Sequence, residues 1–148
     1  MGVDKDAEEA RRYYRIGSDM GFAGCQSHVG GYYRDVVKDK EQAKTYFKLS
    51  ADQGYIAGCC CLGRIYEEEE DVDSCIKYYK HVADQGYLGA LENLGYVYET
   101  VLQNLPEAIR YYELCAAQGS SYASEALGLV SMNAPPAGDR EQAGCGVL

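Results

Sequence analysis

The sequence predicts an all-α fold, an α/α superhelical solenoid of about eight antiparallel helices. Two ladders of residues predict it. Aromatic pairs at Tyr13-Tyr14, Tyr46-Phe47, Tyr78-Tyr79 and Tyr111-Tyr112 recur 33, 32 and 33 residues apart. Val29-Gly30, Leu62-Gly63, Leu94-Gly95 and Leu127-Gly128 keep the same steps. A period of this length marks stacked helical hairpins, none of which can bury its apolar face alone. Such stacks present extended surfaces, which suit binding better than catalysis.

Each unit reads as helix A, a loop, helix B and a tight turn. Helix B is expected to open on a cap at Asp6, Asp39, Asp71 or Asn104, because these side chains satisfy backbone N–H groups left unpaired at a helix start. Glu9, Gln42 and Glu107 stand three residues after three of these caps, as reciprocal capping boxes. Pro106 falls in a first turn, where its missing N–H costs nothing. Helix B is expected to stop at Gly21, Gly54, Gly86 and Gly119, since glycine enters the left-handed region freely. Ala10, Ala43, Cys75 and Ala108 mark a small-residue position, expected to face Gly30, Gly63, Gly95 and Gly128 of helix A. On helix A, Leu and Tyr four residues apart share one buried face, as in Leu62-Gly63…Tyr66 and Leu94-Gly95…Tyr98. In the last unit the pattern degrades to Leu127-Gly128…Ser131.

The expected organisation is therefore a capping helix over 1–21, repeats over 22–54, 55–86 and 87–119, a last helix over 120–132 and a flexible tail over 133–148. The last helix has no partner helix in this order, which leaves a face for self-association or a docked partner. Twelve of the fifteen tyrosines fill recurrent slots and are read as structural; Tyr32, Tyr96 and Tyr122 fall outside them.

Ala90-Leu91-Glu92-Asn93-Leu94-Gly95-Tyr96-Val97-Tyr98, Asp39-Lys40-Glu41-Gln42-Ala43-Lys44-Thr45-Tyr46-Phe47, and Ala-Asp-Gln-Gly at 51–54 and 83–86 carry a resemblance. Together they resemble the Sel1-like repeat, a relative of the tetratricopeptide repeat, over residues 4 to 132. The Gly-x-Gly-Val loop usual between helices A and B of that family is shortened here, to Asp35-Val36-Val37 in one unit and an acidic run in another. The disulfide ladder of the family's cysteine-rich branch is absent, since Cys25 and Cys115 belong to different junctions. The resemblance implies a scaffold or adaptor that binds other proteins, without catalytic residues or cofactors.

Composition narrows the partners. A net charge of −9 with no outstanding Lys/Arg cluster argues against nucleic acid. The acidic run Glu67–Asp71 reads as a solvated loop. No apolar stretch reaches the roughly 20 residues that span a bilayer. The first residues carry no apolar core of a secretory signal, so a cytoplasmic protein with free thiols is expected. Cys59-Cys60-Cys61 point about 100° apart on a helix and cannot converge on one ion. Cys59 and Cys75 are close enough in register for a contact. His28 and His81 lie at no metal or triad spacing, so no metal site is expected.

Binding is expected on the exposed stripe of the A helices, the concave side of such stacks. The stripe comprises Ser27, Gly31 and Arg34; then Cys60, Arg64 and Glu67; then Glu92, Tyr96 and Glu99; then Glu125, Leu129 and Met132. Asn93 lies beside it. Arginines lead and carboxylates follow, around Tyr96 as an apolar anchor for a peptide or helix segment. Ser27, Gly31, Cys61 and Gly89 occupy most slots of a chaperone-tail carboxylate clamp, which is therefore not expected. The chain ends Cys145-Gly146-Val147-Leu148, a C-a-a-X pattern. An alternative reading is thus a prenylated peripheral membrane adaptor, bound to membrane only if Cys145 carries the lipid.

Overall fold

The computed structural model describes residues 2–133, with side chains over 5–132. Among these there are eight α-helices and no strand: α1 (Gly2–Asp19), α2 (Ala23–Tyr32), α3 (Lys40–Asp52), α4 (Ile56–Glu68), α5 (Val72–Ala83), α6 (Leu88–Thr100), α7 (Leu105–Ala117) and α8 (Ser121–Asn133). A π-helical turn, Tyr33–Val37, extends α2. The solenoid class predicted from the period is the one observed. The tail and Cys145 lie outside the described residues.

The chain forms two compact units, Met1–Tyr78 and Tyr79–Leu148. In the first, α1 packs on α2, α2 on α3, and α3 on α4. In the second, α6 packs on α7 and α7 on α8.

The expected caps form at three helices. Asp39 Oδ1 accepts from the Gln42 N–H at 3.1 Å, Asp71 Oδ1 from Ser74 at 3.2 Å, and Asn104 Oδ1 from Glu107 at 3.3 Å. Asp6 is different: α1 begins at Gly2, so Asp6 lies inside the helix and caps nothing. The capping boxes close in one direction. The N–H of each cap is taken by the helix-A tyrosine carbonyl, Asp39 by Tyr33 at 2.9 Å, Asp71 by Tyr66 at 2.9 Å and Asn104 by Tyr98 at 2.7 Å. Closing that bond requires a left-handed residue just before the cap. Lys38, Glu70 and Gln103 supply it, with φ of 63°, 60° and 51°.

Gly21, Gly54, Gly86 and Gly119 all have positive φ, from 78° to 92°, and end helix B as expected. In the first unit the turn is braced from outside. Ser50 Oγ donates to the Ala23 carbonyl at 2.7 Å, and Gln53 Nε2 donates to Gly21 O and to the buried Gln26 Oε1.

At Gly30 and Gly95 of helix A the nearest neighbour across the gap is an aromatic ring rather than the small residue of helix B. A Cβ at Gly30 would lie 2.9 Å from the Phe47 ring, and one at Gly95 would lie 2.5 Å from the Tyr112 ring. At these two positions the glycine is therefore a seat for the second aromatic of the pair, because a flat ring needs more of the interhelical gap than an alanine does. Gly128 has nothing within 4 Å. The first aromatic has its own partner. Tyr33 stacks on Tyr46, Tyr66 on Tyr78 and Tyr98 on Tyr111, with centroids 5.4 to 5.7 Å apart and planes within 12°. These offset stacks add about 0.5–1.5 kcal/mol each beyond burial.

Candidate partner-binding groove

α1 carries Glu8, Arg11, Arg12 and Arg15 within two turns, so three guanidiniums crowd one side of one helix. Against them α2 presents His28, Val29 and Tyr32. Together with Tyr14 and Tyr33 these side chains line an open groove of about 380 Å³. Its walls are fixed by aromatic contacts. The Tyr14 and His28 rings stack at 4.1 Å, and Arg11 lies 5.2 Å from the Tyr32 ring centre while donating to the Tyr32 hydroxyl at 3.3 Å. Arg12 and Arg15 make no ion pair or hydrogen bond among the described residues, and both are exposed.

A second basin of about 420 Å³ shares His28 and Tyr32 with the first. Its lining includes Ser27, Gly31, Arg34, Val36, Phe47 and Cys61. Arg34 is neutralised there. It makes a two-pronged pair with Asp35, at 2.7 and 3.0 Å, which raises its pKa and lowers that of Asp35. It also donates to Cys61 Sγ at 3.5 Å and lies 5.5 Å from the centre of the Phe47 ring. Val36 is 62% exposed beside it, so an apolar side chain stands next to a charge-matched pair.

The sequence-predicted stripe is only partly exposed. In the first unit Ser27, Gly31 and Arg34 come together in the second basin. Arg64 is exposed, whereas Cys60 and Glu67 are half-buried, and burial raises the Cys60 thiol pKa. In the second unit Tyr96, Glu125 and Leu129 are exposed and Asn93 is half-buried. Two stripe carboxylates are engaged internally: Glu99 accepts the Tyr112 hydroxyl at 2.7 Å, and Glu92 accepts the Ser120 hydroxyl. Burial, then the bond to Glu99, raises the Tyr112 pKa.

Sequence reasoning missed Arg11, Arg12 and Arg15 as a cluster; their helical spacing was the available signal. The acidic run is exposed from Glu68 to Asp71, as expected, and two of its carboxylates also reach α3: Glu68 pairs with Lys40 at 3.1 Å and Glu69 with Lys44 at 2.6 Å.

Three of the thiols are packed in the core. Cys59, Cys75 and Cys115 are buried, and burial pushes Cys75 up to about 12 and Cys115 up to about 11. Cys59 donates to the Ala51 carbonyl at 3.8 Å. Among the described residues no group of His, Cys, Asp and Glu side chains has the geometry to hold a metal ion. Among them, too, no helix is long and apolar enough to cross a membrane.

The Sel1 repeat family profile matches residues 1–22, 24–55 and 89–120, more than half of the chain. The chain belongs to the Sel1 repeat family. The stretch between the second and third matches holds the cysteine triplet and the acidic run, yet it keeps the Asp71 cap and the Tyr66–Tyr78 stack. Among solved structures, a protective antigen of uropathogenic Escherichia coli strains displaying an SLR fold is 25% identical, with a TM-score of 0.74 over 83% of this chain and 29% of that one. A Sel1 repeat protein from Oxalobacter formigenes is 21% identical, with a TM-score of 0.68 over 82% of this chain and 54% of that one. The chain thus spans well under two thirds of the length of either. A comparison with curated proteins finds no match. Sel1 repeats are generally protein–protein interaction scaffolds.

Proposed function

We propose that this chain is a non-catalytic scaffold whose A helices bind a peptide or helical segment of another protein. The observation that carries the reading is the groove along α2, where the predicted stripe residues Ser27, Gly31 and Arg34 line an open basin. Arg64 is a further exposed stripe residue of the first unit, and Tyr96, Glu125 and Leu129 are exposed stripe residues within the second. A preformed groove on packed helices needs little ordering on binding, so little entropy cost opposes it.

Site-specific photo-crosslinking tests it. Gly31 has open space where a side chain would stand, so a benzoylphenylalanine there should be tolerated. Thr45, exposed on helix α3, is the control. The expected result in native cells is a discrete protein adduct from position 31 and none from position 45. Equal adducts from both positions, or none from position 31, would remove the groove from the scaffold reading.

A further inference from the structure

We propose that the groove between α1 and α2 takes an acidic peptide, with a carboxylate side chain on the α1 arginines and an apolar side chain in the basin beside Val36. The proposal rests on the scaffold reading and names the chemistry of its partner. Three observations carry it.

The first is unspent charge. Arg12 and Arg15 are exposed guanidiniums with no partner among the described residues, and Arg11 is turned toward the same groove by Tyr32. A planar fork of N–H donors matches a carboxylate in two-pronged geometry. The chain carries net charge −9, so a basic patch of this kind is a local exception to its field.

The second is the charge step along the groove. The neighbouring basin shares His28 and Tyr32 with the first, so one extended ligand can occupy both. Its only guanidinium, Arg34, is matched by Asp35. That basin therefore attracts no second anion, and Tyr32 and the exposed Val36 offer apolar contact beside the matched pair.

The third sets the ligand class. Glu8 stands in the lining among the arginines. It would repel a dense polyanion, while it can accept an N–H from a peptide backbone. With the overall acidic field, this favours a peptide of one or two carboxylates over RNA, whose binding needs many phosphates neutralised at once.

Fluorescence polarisation on the full chain tests the proposal. The probe is a labelled peptide, Asp-Glu-Leu-Phe-Gly. Its Asn-Gln counterpart and an oligouridine serve as comparators. The acidic peptide is expected to bind about ten-fold more tightly than the amide peptide, with the gap narrowing as salt rises. Arg12→Glu with Arg15→Glu should abolish that gap, whereas Arg64→Glu in the same unit should leave it. Circular dichroism melts check folding, and Arg12→Gln with Arg15→Gln repeats the test without new charge. Equal binding of the two peptides, tighter binding of oligouridine, or an unchanged gap in the arginine variants overturns the proposal. If the acidic peptide fails while position 31 still yields an adduct, the scaffold reading stands and only the ligand chemistry falls.

Discussion

The first and third repeats use one slot in two ways. In the first, Gly30 seats the Phe47 ring, and Arg34, one turn on, lays its guanidinium 5.5 Å from the ring centre. In the third, Gly95 seats Tyr112, and Glu99, at the same register, accepts the ring's hydroxyl at 2.7 Å. The two rings differ by one oxygen. A buried phenyl ring needs no acceptor and offers its negative face to a cation. A buried phenol must place its O–H on an acceptor. The sign of the charge at this register therefore follows the chemistry of the ring beneath it. What reads in the sequence as arginines first and carboxylates later is, at these two positions, a consequence of packing.

The shared feature is the glycine seat, and removing it should have the largest effect. Gly95→Ala sets a methyl 2.5 Å from the Tyr112 ring, and Gly30→Ala sets one 2.9 Å from Phe47. Overpacking costs about 1–3 kcal/mol, against about 1 kcal/mol returned by alanine's helix propensity. Gly95→Ala should thus lose about 2 kcal/mol in urea denaturation and Gly30→Ala about 1. Gly128→Ala, with open space around it, should instead gain about 0.5–1 kcal/mol. If all three variants shift alike, the ring seat is not what fixes these glycines.

The hydroxyl is the next point of attack. Tyr112→Phe should cost about 1–2 kcal/mol, because it strips the donor from a half-buried carboxylate. Adding Glu99→Arg then rebuilds the pair of the first repeat, and should restore about 0.5–1 kcal/mol through the cation–π contact. A double-mutant cycle in thermal or urea denaturation measures the coupling. A purely additive result would mean that ring and charge are matched by accident.

The fold was legible because it rests on local chemistry repeated four times. The caps at Asp39, Asp71 and Asn104, the stops from Gly21 to Gly119 and the buried leucines each state a local rule, and the period makes the rules agree. Asp6 failed as a cap because its neighbours continue the helix toward Gly2. The site was less legible, since exposure on an A helix depends on what the facing ring requires. Glu92 and Glu99 look like free stripe residues until Ser120 and Tyr112 claim them. The Arg11, Arg12 and Arg15 cluster was visible as a spacing, but its meaning depends on His28 and Tyr32, which the turn after Gly21 brings alongside.

The smallest expected effect lies in the loops, where the repeats agree with each other and depart from ideal chemistry. Lys38, Glu70 and Gln103 each hold a left-handed φ so that the next residue's N–H can reach the tyrosine carbonyl. A side chain in that conformation costs about 1–2 kcal/mol, while glycine there loses about 0.5–1 kcal/mol more unfolded-state freedom. Gln103→Gly should therefore raise stability by about 0.5 kcal/mol, seen as a small rise in Tm. Lys38→Gly should do the same in the first repeat. Glu70→Gly should gain the most of the three, because it also removes one carboxylate from the run 67–71, where like charges crowd a single turn. A fall in Tm at Glu70 would show that this side chain holds its loop through a contact that outweighs both the backbone strain and the repulsion.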